Sequence, residues 1–185
     1  MEVAGSAGDA KVSGTQIVES GGTAFGAFVI SGGVQVVENG GIALGTVLDG
    51  GLMEVVGGGS VGPPPKFIAA VTFTSAGGDL QLDASQSFQV QGLIAGFASP
   101  AGVTEEIDLR DIAFGPNTRA AFIEAATGSS GTLTVTDGTH TADLTLLGQY
   151  ATANFSLSSD GAGGTFVKDP ALVGSAASPV LAAHA

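Results

Sequence analysis

The sequence contains no cysteine, no tryptophan and only five lysine and arginine residues. Without thiols the chain has no disulfide, no thiolate nucleophile and no cysteine-ligated metal. Seventeen acidic residues give a net charge of −12, which argues against binding to nucleic acid or to an anionic membrane surface. No run of about 18 apolar residues occurs, so no helix is expected to insert in a membrane.

Glycine and aliphatic residues are abundant instead. There are 31 glycines, and hydrophobic residues make up 44% of the chain, so a disordered acidic tail is not expected. Glycine at this frequency, without a collagen period, indicates many tight turns, because glycine adopts positive φ without steric cost. The composition therefore predicts an all-β chain rich in turns, whose acidic side chains keep it soluble.

Pairs of glycines recur through the first third of the chain at a double spacing. The segments between successive pairs, which we call arms, alternate in length, so a short arm follows each longer arm. The full period is roughly 18–19 residues, and self-similarity at a fixed period is typical of repeat architectures. The pairs are Gly21-Gly22, Gly32-Gly33, Gly40-Gly41, Gly50-Gly51 and Gly58-Gly59.

Each arm is predicted to form one strand, and each glycine pair a sharp turn. Residues 15–20 match residues 34–39 as short arms, and 52–56 are a degenerate third copy. Two strands and two turns per period make one coil of a solenoid, with strands stacked about 4.8 Å apart in parallel. Stacking places Val37 over Val18 and Val47 over Val29 in continuous aliphatic columns.

These repeats resemble those of AIDA-type autotransporter passengers, in which Gly-Gly, Gln-x-Val, Gly-Gly and Ala-x-x-Thr-x-Val recur. The resemblance covers about residues 12–60. It implies a right-handed parallel β-helix that is exported by a Gram-negative bacterium and acts in adhesion or aggregation. The matching residues are Gln16, Val18, Gln35, Val37, Ala43, Thr46 and Val47, the last two being adjacent here instead of separated by one residue.

The chain departs from that family at its C-terminal side. An autotransporter carries a membrane barrel of many amphipathic strands, and these 185 residues leave no room for one. We therefore expect either a detached passenger piece or a protein exported by another route. The sequence from 131 to 170 resembles a segment near the C-termini of large, repetitive secreted bacterial proteins.

Three consecutive prolines interrupt the repeat, so residues 63–66 are predicted to be an extended linker. Residues 1–62 are then the Gly-rich solenoid, and 67–170 a β-rich segment that continues or caps it. Residues 171–185 are predicted to be a flexible tail. Alternation predicts strands at 67–73, 80–83, 88–91, 93–97 and 105–112, a turn at Ser99-Pro100, and a strand in preference to a helical turn at 120–126.

A hairpin is predicted around Asp137-Gly138, because Asp-Gly between alternating arms favours a two-residue turn. That turn opposes Thr136 to Thr139, Thr134 to Thr141 and Thr132 to Asp143, forming a hydroxyl-rich face. The opposite face carries Leu133, Val135, His140, Ala142 and Leu144. A second turn at 160–164 is predicted to join strands at 155–157 and 165–167.

Candidate catalytic and metal-binding groups each lack a partner. His140 is the only histidine in a patterned region, so a zinc site of the usual kind is not expected, and packing at the hairpin is favoured. Four acidic residues of the predicted 105–112 strand could bind Ca²⁺ or serve as paired carboxylates, namely Glu105, Glu106, Asp108 and Asp111. Glu106 and Asp108 share the outward face of that strand, so a solvated stripe is favoured. The Asp160 turn is a weaker Ca²⁺ candidate, and the threonine face matches ordinary exposed strand positions.

The sequence therefore assigns no catalytic, cofactor-binding or metal-binding residue, and predicts that the chain is not an enzyme. The leading hypothesis is a passenger-type module of a secreted or surface-exposed adhesin or extracellular matrix protein. Its expected partners are surface glycans or proteins of host or bacterium, or other copies of itself. The alternatives are an export or assembly module for type I-like secretion, and a fragment of a polysaccharide-acting β-helix enzyme.

Overall fold

A computed structural model describes residues 1–62, 69–85, 93–98 and 102–168. These residues form twenty short strands and one 3-10 turn, Thr152–Asn154, so the chain is all-β. Most strands pair in parallel with the strand one coil earlier and one coil later. This arrangement confirms the all-β prediction and is consistent with a β-solenoid.

The strands lie in three sheets. Sheet A has the order β1-β4-β7-β10-β13-β15-β20-β19, sheet B β11-β8-β5-β2, and sheet C β16-β17-β18-β14-β12-β9-β6-β3. The strand bounds are β1 Glu2–Val3, β2 Ser6–Gly8, β3 Lys11–Val12, β4 Thr15–Val18, β5 Thr23–Phe25, β6 Phe28–Ile30, β7 Val34–Val37, β8 Ile42–Leu44, β9 Thr46–Asp49, β10 Leu52–Val55, β11 Ser60–Gly62, β12 Val71–Phe73, β13 Gly78–Leu82, β14 Leu93–Ala95, β15 Glu105–Leu109, β16 Arg119–Glu124, β17 Ser130–Thr136, β18 Thr141–Leu147, β19 Ser156–Ser159 and β20 Thr165–Lys168.

Each repeat contributes three strands, one to each sheet, and not the two that the arm spacing predicts. The short arm is one strand, but the longer arm is split, as in β5 and β6 or β8 and β9. The chain turns between them at Gly26 and Gly45, whose φ angles are +59° and +70°. Because these single glycines are not paired, the glycine-pair pattern did not mark a second turn within the arm.

The inward side chains form columns that run through the stack. Val37 lies over Val18, as predicted, and both are fully buried. Val29 instead pairs with Leu48, and Val47 pairs with the outward-facing Phe28, so the predicted pairing of Val47 with Val29 is wrong by one residue. Val29 and Leu48 are 19 residues apart, so the longer of the two predicted periods, 18 and 19 residues, applies here. A period of 18 residues would turn Leu48 outward.

Asp9 occupies the position that glycine holds in the next two coils. Asp9 directly follows the Gly8–Phe25 pair, as Gly26 does, and has a φ of +47°, in the left-handed region that non-glycine residues rarely adopt. Replacing Asp9 with glycine should relieve this strain and stabilise the fold by about 0.5–1 kcal/mol in urea unfolding. Gly45→Ala, the converse change, should destabilise it. A lower unfolding midpoint for Asp9→Gly would contradict this interpretation.

The second segment continues the same sheets. β13 pairs in parallel with β10, and β12 pairs in parallel with β9, so strands on both sides of residues 63–66 share sheets A and C. Residues 63–66 themselves lie outside the described residues. β15 and β14 extend the two sheets by one more parallel strand each. We call strands β1 to β15 the coil stack.

Further strands extend sheets A and C at the far end of the coil stack. β20 pairs antiparallel with both β15 and β19. β18 pairs in parallel with β14, and β17 and β16 follow as antiparallel neighbours. The backbone N–H of Phe122 in β16 donates to Thr152 Oγ1 at 2.9 Å, so the 3-10 turn covers this outer edge. Phe122 also packs with Tyr150 and Phe155, with ring centroids 5.5 and 5.9 Å away.

Most of the strands predicted in the second segment are present, some with shorter and some with longer bounds than predicted. The predicted 105–112 strand is β15, with Ile107 and Leu109 buried inward. Ile112 is also buried, whereas Phe114 is 45% exposed. The strand favoured at 120–126 is β16, which ends at Glu124. The predicted strand 88–91, the Ser99-Pro100 turn and the tail 171–185 lie outside the described residues.

Candidate functional site

The acidic residues of β15 do not form a solvated stripe. Glu106 and Asp108 share one face, as predicted, but Asp108 is only 8% exposed. Glu106 Oε1 lies 2.5 Å from Lys168 Nζ on the neighbouring β20, and Asp108 Oδ2 accepts from Arg110 Nε at 3.4 Å. The stripe interpretation is therefore corrected, because Asp108 lies between Gln81 of β13 and Phe166 of β20 in the sheet, and Lys168 of β20 brings a cation to Glu106.

Burial dominates the electrostatics of this face. It raises the pKa of Asp108 above its ordinary value, and the carboxylate of Asp160 acts in the same direction. Partial desolvation also raises the pKa of Asp79, which stays exposed on the adjacent β13, and the negative charge of Glu106 adds to this shift. The arrangement is an ion-pair network on a sheet face, without the opposed carboxylates of a cleft.

Asp108→Asn tests whether this buried charge destabilises the fold. The raised pKa means that the folded state binds the proton more tightly than the unfolded state, so Asp108 stabilises the fold less as the pH rises. We expect the variant to be more stable at pH 7, on the order of 1 kcal/mol, and this gain to shrink as the pH falls toward the ordinary carboxyl value of 3.8.

The measurement is urea unfolding of both proteins at pH 7 and pH 4. Glu38→Gln removes one exposed negative charge and should change stability by less than about 0.5 kcal/mol at either pH. A stability gain for Asp108→Asn that did not depend on pH, or that Glu38→Gln reproduced, would contradict the interpretation that the Asp108 charge destabilises the fold.

The other acidic candidates each bond to a different part of the backbone. Glu105 faces inward at 2% exposure, and its Oε2 accepts from the Ala98 N–H at 2.7 Å. Asp111 Oδ2 accepts from both the N–H and the hydroxyl of Ser85 at 3.0 Å. In the described ranges, no group of three or more histidine, aspartate or glutamate side chains is arranged to hold a metal ion.

Asp160 closes the turn that joins β19 and β20. Its Oδ1 accepts from the backbone N–H groups of Ala162 and Gly164 at 2.7 and 2.8 Å. The predicted turn at 160–164 is confirmed, and this carboxylate oxygen is engaged in holding it.

The hairpin around Asp137-Gly138 is present, but its loop has four residues and not two. Thr136 pairs with Thr141, so the predicted oppositions are shifted by two residues, to Thr134–Asp143 and Thr132–Thr145. Asp137 Oδ1 accepts from the N–H groups of Thr139 and His140, each at 2.7 Å, which fixes the longer loop. The hydroxyl and aliphatic faces keep their predicted strand members, since a shift of two preserves the alternation.

His140 lies in this exposed loop and not on the aliphatic face, so its predicted packing position is corrected. Its Nδ1 is 3.2 Å from Asp137 Oδ2, which also accepts from the Ala113 N–H at 3.1 Å. Hydrogen bonds from the backbone N–H groups of His140, Thr139 and Ala113 hold the pKa of Asp137 well below its ordinary range. Asp137 therefore serves to tie the hairpin tip to the 113–118 loop.

The threonine face bonds largely within itself. Thr134 Oγ1 donates to Asp143 Oδ1 at 2.6 Å, and Thr141 Oγ1 donates to Thr136 Oγ1 at 3.1 Å. These cross-strand pairs stabilise the hairpin.

The coil stack also carries exposed apolar side chains that the sequence analysis did not single out. Phe25, Phe28 and Ile42 are 36%, 37% and 39% exposed. Phe25 pairs with Leu44 and Phe28 with Val47 in the next coil, so two apolar rows flank the turn between sheets B and C. We call Phe25, Phe28, Ile42, Leu44 and Val47 the apolar corner. The Phe-Gly-Ala-Phe sequence at 25–28 could have indicated this surface, because it places two phenylalanines around a turn glycine.

These observations define an all-β protein of parallel strands stacked in three sheets, two of which continue into strands that pair mostly antiparallel. The searches find no matching family model, no matching curated protein and no matching solved structure. The resemblance to autotransporter passenger repeats therefore stays a prediction that rests on the residues that suggested it. Within the described residues, no helix is long and apolar enough to cross a bilayer.

Proposed function

We propose that the chain is a non-catalytic module of a secreted or surface-exposed bacterial adhesin or extracellular matrix protein, and that it folds as a right-handed β-helix. Its role is to hold a binding surface on a stiff scaffold. The observation that carries this proposal is the apolar corner, because large side chains repeated on the outside of neighbouring coils are typical of interaction sites.

The scaffold suits this role. Sheets A and C each contain eight strands, so each sheet extends over about 34 Å at a spacing near 4.8 Å. The buried columns run from Val3 to Leu109 in sheet A, which fixes the positions of the outward side chains relative to one another. The net charge of −12 favours solubility while a short apolar surface is left exposed.

Binding of labelled chain to bacterial cells, host cells and immobilised glycans tests the proposal. The double variant Phe25→Thr, Phe28→Thr should lower binding to the positive target at least about fivefold, because it removes the two aromatic anchors. The matched control is Ile123→Thr, which removes a 71% exposed side chain from β16, outside the coil stack. Circular dichroism checks that each variant folds.

The outcomes separate the possible partners. Binding to glycans alone identifies a lectin-like surface, and binding to protein-coated surfaces identifies a protein partner. Light scattering that shows reversible self-association, lost in the double variant, identifies other copies of the chain. An absence of binding to every target, or equal loss in the Ile123→Thr control, would refute the apolar corner as the binding surface.

A further inference from the structure

Asp9 is, among the described residues, the one residue other than glycine with a positive φ. The ladder between coils holds its backbone, because the Asp9 N–H donates to the Phe25 carbonyl oxygen at 2.7 Å. The Gly26 N–H donates to the Leu44 carbonyl oxygen in the same way at 2.8 Å, so this turn forms without a side chain. The side chain of Asp9 therefore adds strain to a turn that glycine makes without strain.

No contact of the Asp9 carboxylate offsets that strain. Within residues 1–62, 69–85, 93–98 and 102–168 it accepts no hydrogen bond and forms no ion pair. Asp9 is exposed, and its Oδ1 leans toward the next coil, 2.6 Å from the point where a Cβ on Gly26 would lie. A residue that breaks a local conformational rule without a structural gain is typical of a binding or active site.

The surroundings of this carboxylate are aromatic. Gly26, against which it lies, separates Phe25 from Phe28, and both phenylalanines are more than one third exposed. Lys11 is exposed beside Phe28, but no ion pair joins Lys11 to Asp9 in the part of the chain that the structure describes. A carboxylate and the faces of aromatic rings both attract a cation, so this part of the apolar corner selects for positive charge.

We propose that Asp9, Phe25 and Phe28 form a subsite of the apolar corner for an arginine side chain of a protein partner. Arginine suits these three residues better than lysine, because a planar guanidinium donates two parallel hydrogen bonds to a carboxylate and also stacks on aromatic faces. The net charge of −12 attracts a cationic partner and repels an acidic one. The inference rests on the proposed function, since it takes the apolar corner as the contact surface.

Two capped peptides serve as probes, Gly-Ser-Leu-Arg-Leu-Ser-Gly and the same peptide with citrulline, the uncharged isostere of arginine. Each is titrated into the isotope-labelled full chain while NMR follows the amide resonances of residues 9 and 25–28. We expect the arginine peptide to shift these resonances and to bind about fivefold more tightly than the citrulline peptide, because the carboxylate and the rings both favour its charge.

Asp9→Gly separates this role from a structural one. The variant should unfold at a higher urea concentration than the parent chain, because the strain is relieved, and yet bind the two peptides equally. Asp9→Asn, which removes the charge and keeps the side-chain shape, should also bind them equally. Glu38→Gln is the matched control, since it removes an exposed negative charge elsewhere and should keep the preference for arginine. Lys11→Gln should strengthen binding of the arginine peptide, because it removes a neighbouring cation.

Equal affinity of the parent chain for the two peptides would overturn the inference, and so would a preference for arginine that persists in Asp9→Gly and Asp9→Asn. Light scattering that shows self-association, abolished by Asp9→Gly, would assign the carboxylate to a second copy instead of another protein. Cell binding that needs Phe25 and Phe28 but is unchanged in Asp9→Asn would also overturn the inference, and would leave the proposed function standing.

Discussion

Gly41→Ala is expected to cost about 3 kcal/mol or more of folding stability, or to prevent folding. Gly40 has a φ of +80° and makes the turn, whereas Gly41 is needed for a different reason. A Cβ on Gly41 would collide with the carbonyl oxygen and carbon of Val18 in the previous coil. That oxygen also accepts from the Glu38 N–H at 2.9 Å, so the collision cannot be relieved without disturbing the ladder between coils.

Urea unfolding followed by circular dichroism measures this effect. Gly14→Ala is the matched control, because a Cβ at Gly14 meets no atom within 4 Å and its φ is not in the left-handed region. We expect the control to stay within about 0.5 kcal/mol of the parent chain. A Gly41→Ala protein less than about 1 kcal/mol weaker than the parent would show that neighbouring coils can separate to admit a methyl group.

The two roles of a glycine pair explain why the first third of the fold could be predicted from sequence. One glycine supplies positive φ and the next permits close approach to the coil before it, so both positions are constrained in every repeat. The pairs therefore recur at the coil period and mark it directly. Val37 over Val18 followed correctly from this spacing.

The period did not reveal how each longer arm is divided. β5 and β6 have three residues each, which is too short for alternation to separate them from one continuous strand. The turn between them needs one glycine in the left-handed region, and Asp9 occupies the same position in the first coil. Val47 was therefore predicted one residue out of register with Val29. Because side chains alternate between the two faces of a strand, a shift of one residue assigns every side chain to the wrong face.

The candidate site was less predictable because its properties arise from pairing between distant segments. In their own strand Asp108 and Glu106 occupy the outward positions, and their surroundings depend on β20, far along the chain, which places Phe166 beside Asp108 and Lys168 beside Glu106. The hairpin loop length depends on the Asp137 side chain, whose bonds to the next backbone N–H groups replace a two-residue turn with a four-residue one. Local sequence carries neither fact.

Gln35→Met is expected to cost about 2–4 kcal/mol, because Gln35 links two buried partners. Its Nε2 donates to Gln16 Oε1 at 2.7 Å, and its Oε1 accepts from Thr46 Oγ1 at 2.8 Å. Methionine fits the space, since Met53 occupies the same row one coil later and is fully buried. The expected loss is thus electrostatic, as the Gln16 amide and the Thr46 hydroxyl stay buried without their partner.

Removing all the polar groups together should restore most of the loss. We expect the triple variant Gln16→Met, Gln35→Met, Thr46→Val to unfold within about 1 kcal/mol of the parent, since no buried donor or acceptor of this network is then left unpaired. Met53→Leu serves as the packing control and should cost less than about 1.5 kcal/mol. A triple variant no more stable than Gln35→Met would show that the network contributes through shape and not through hydrogen bonds.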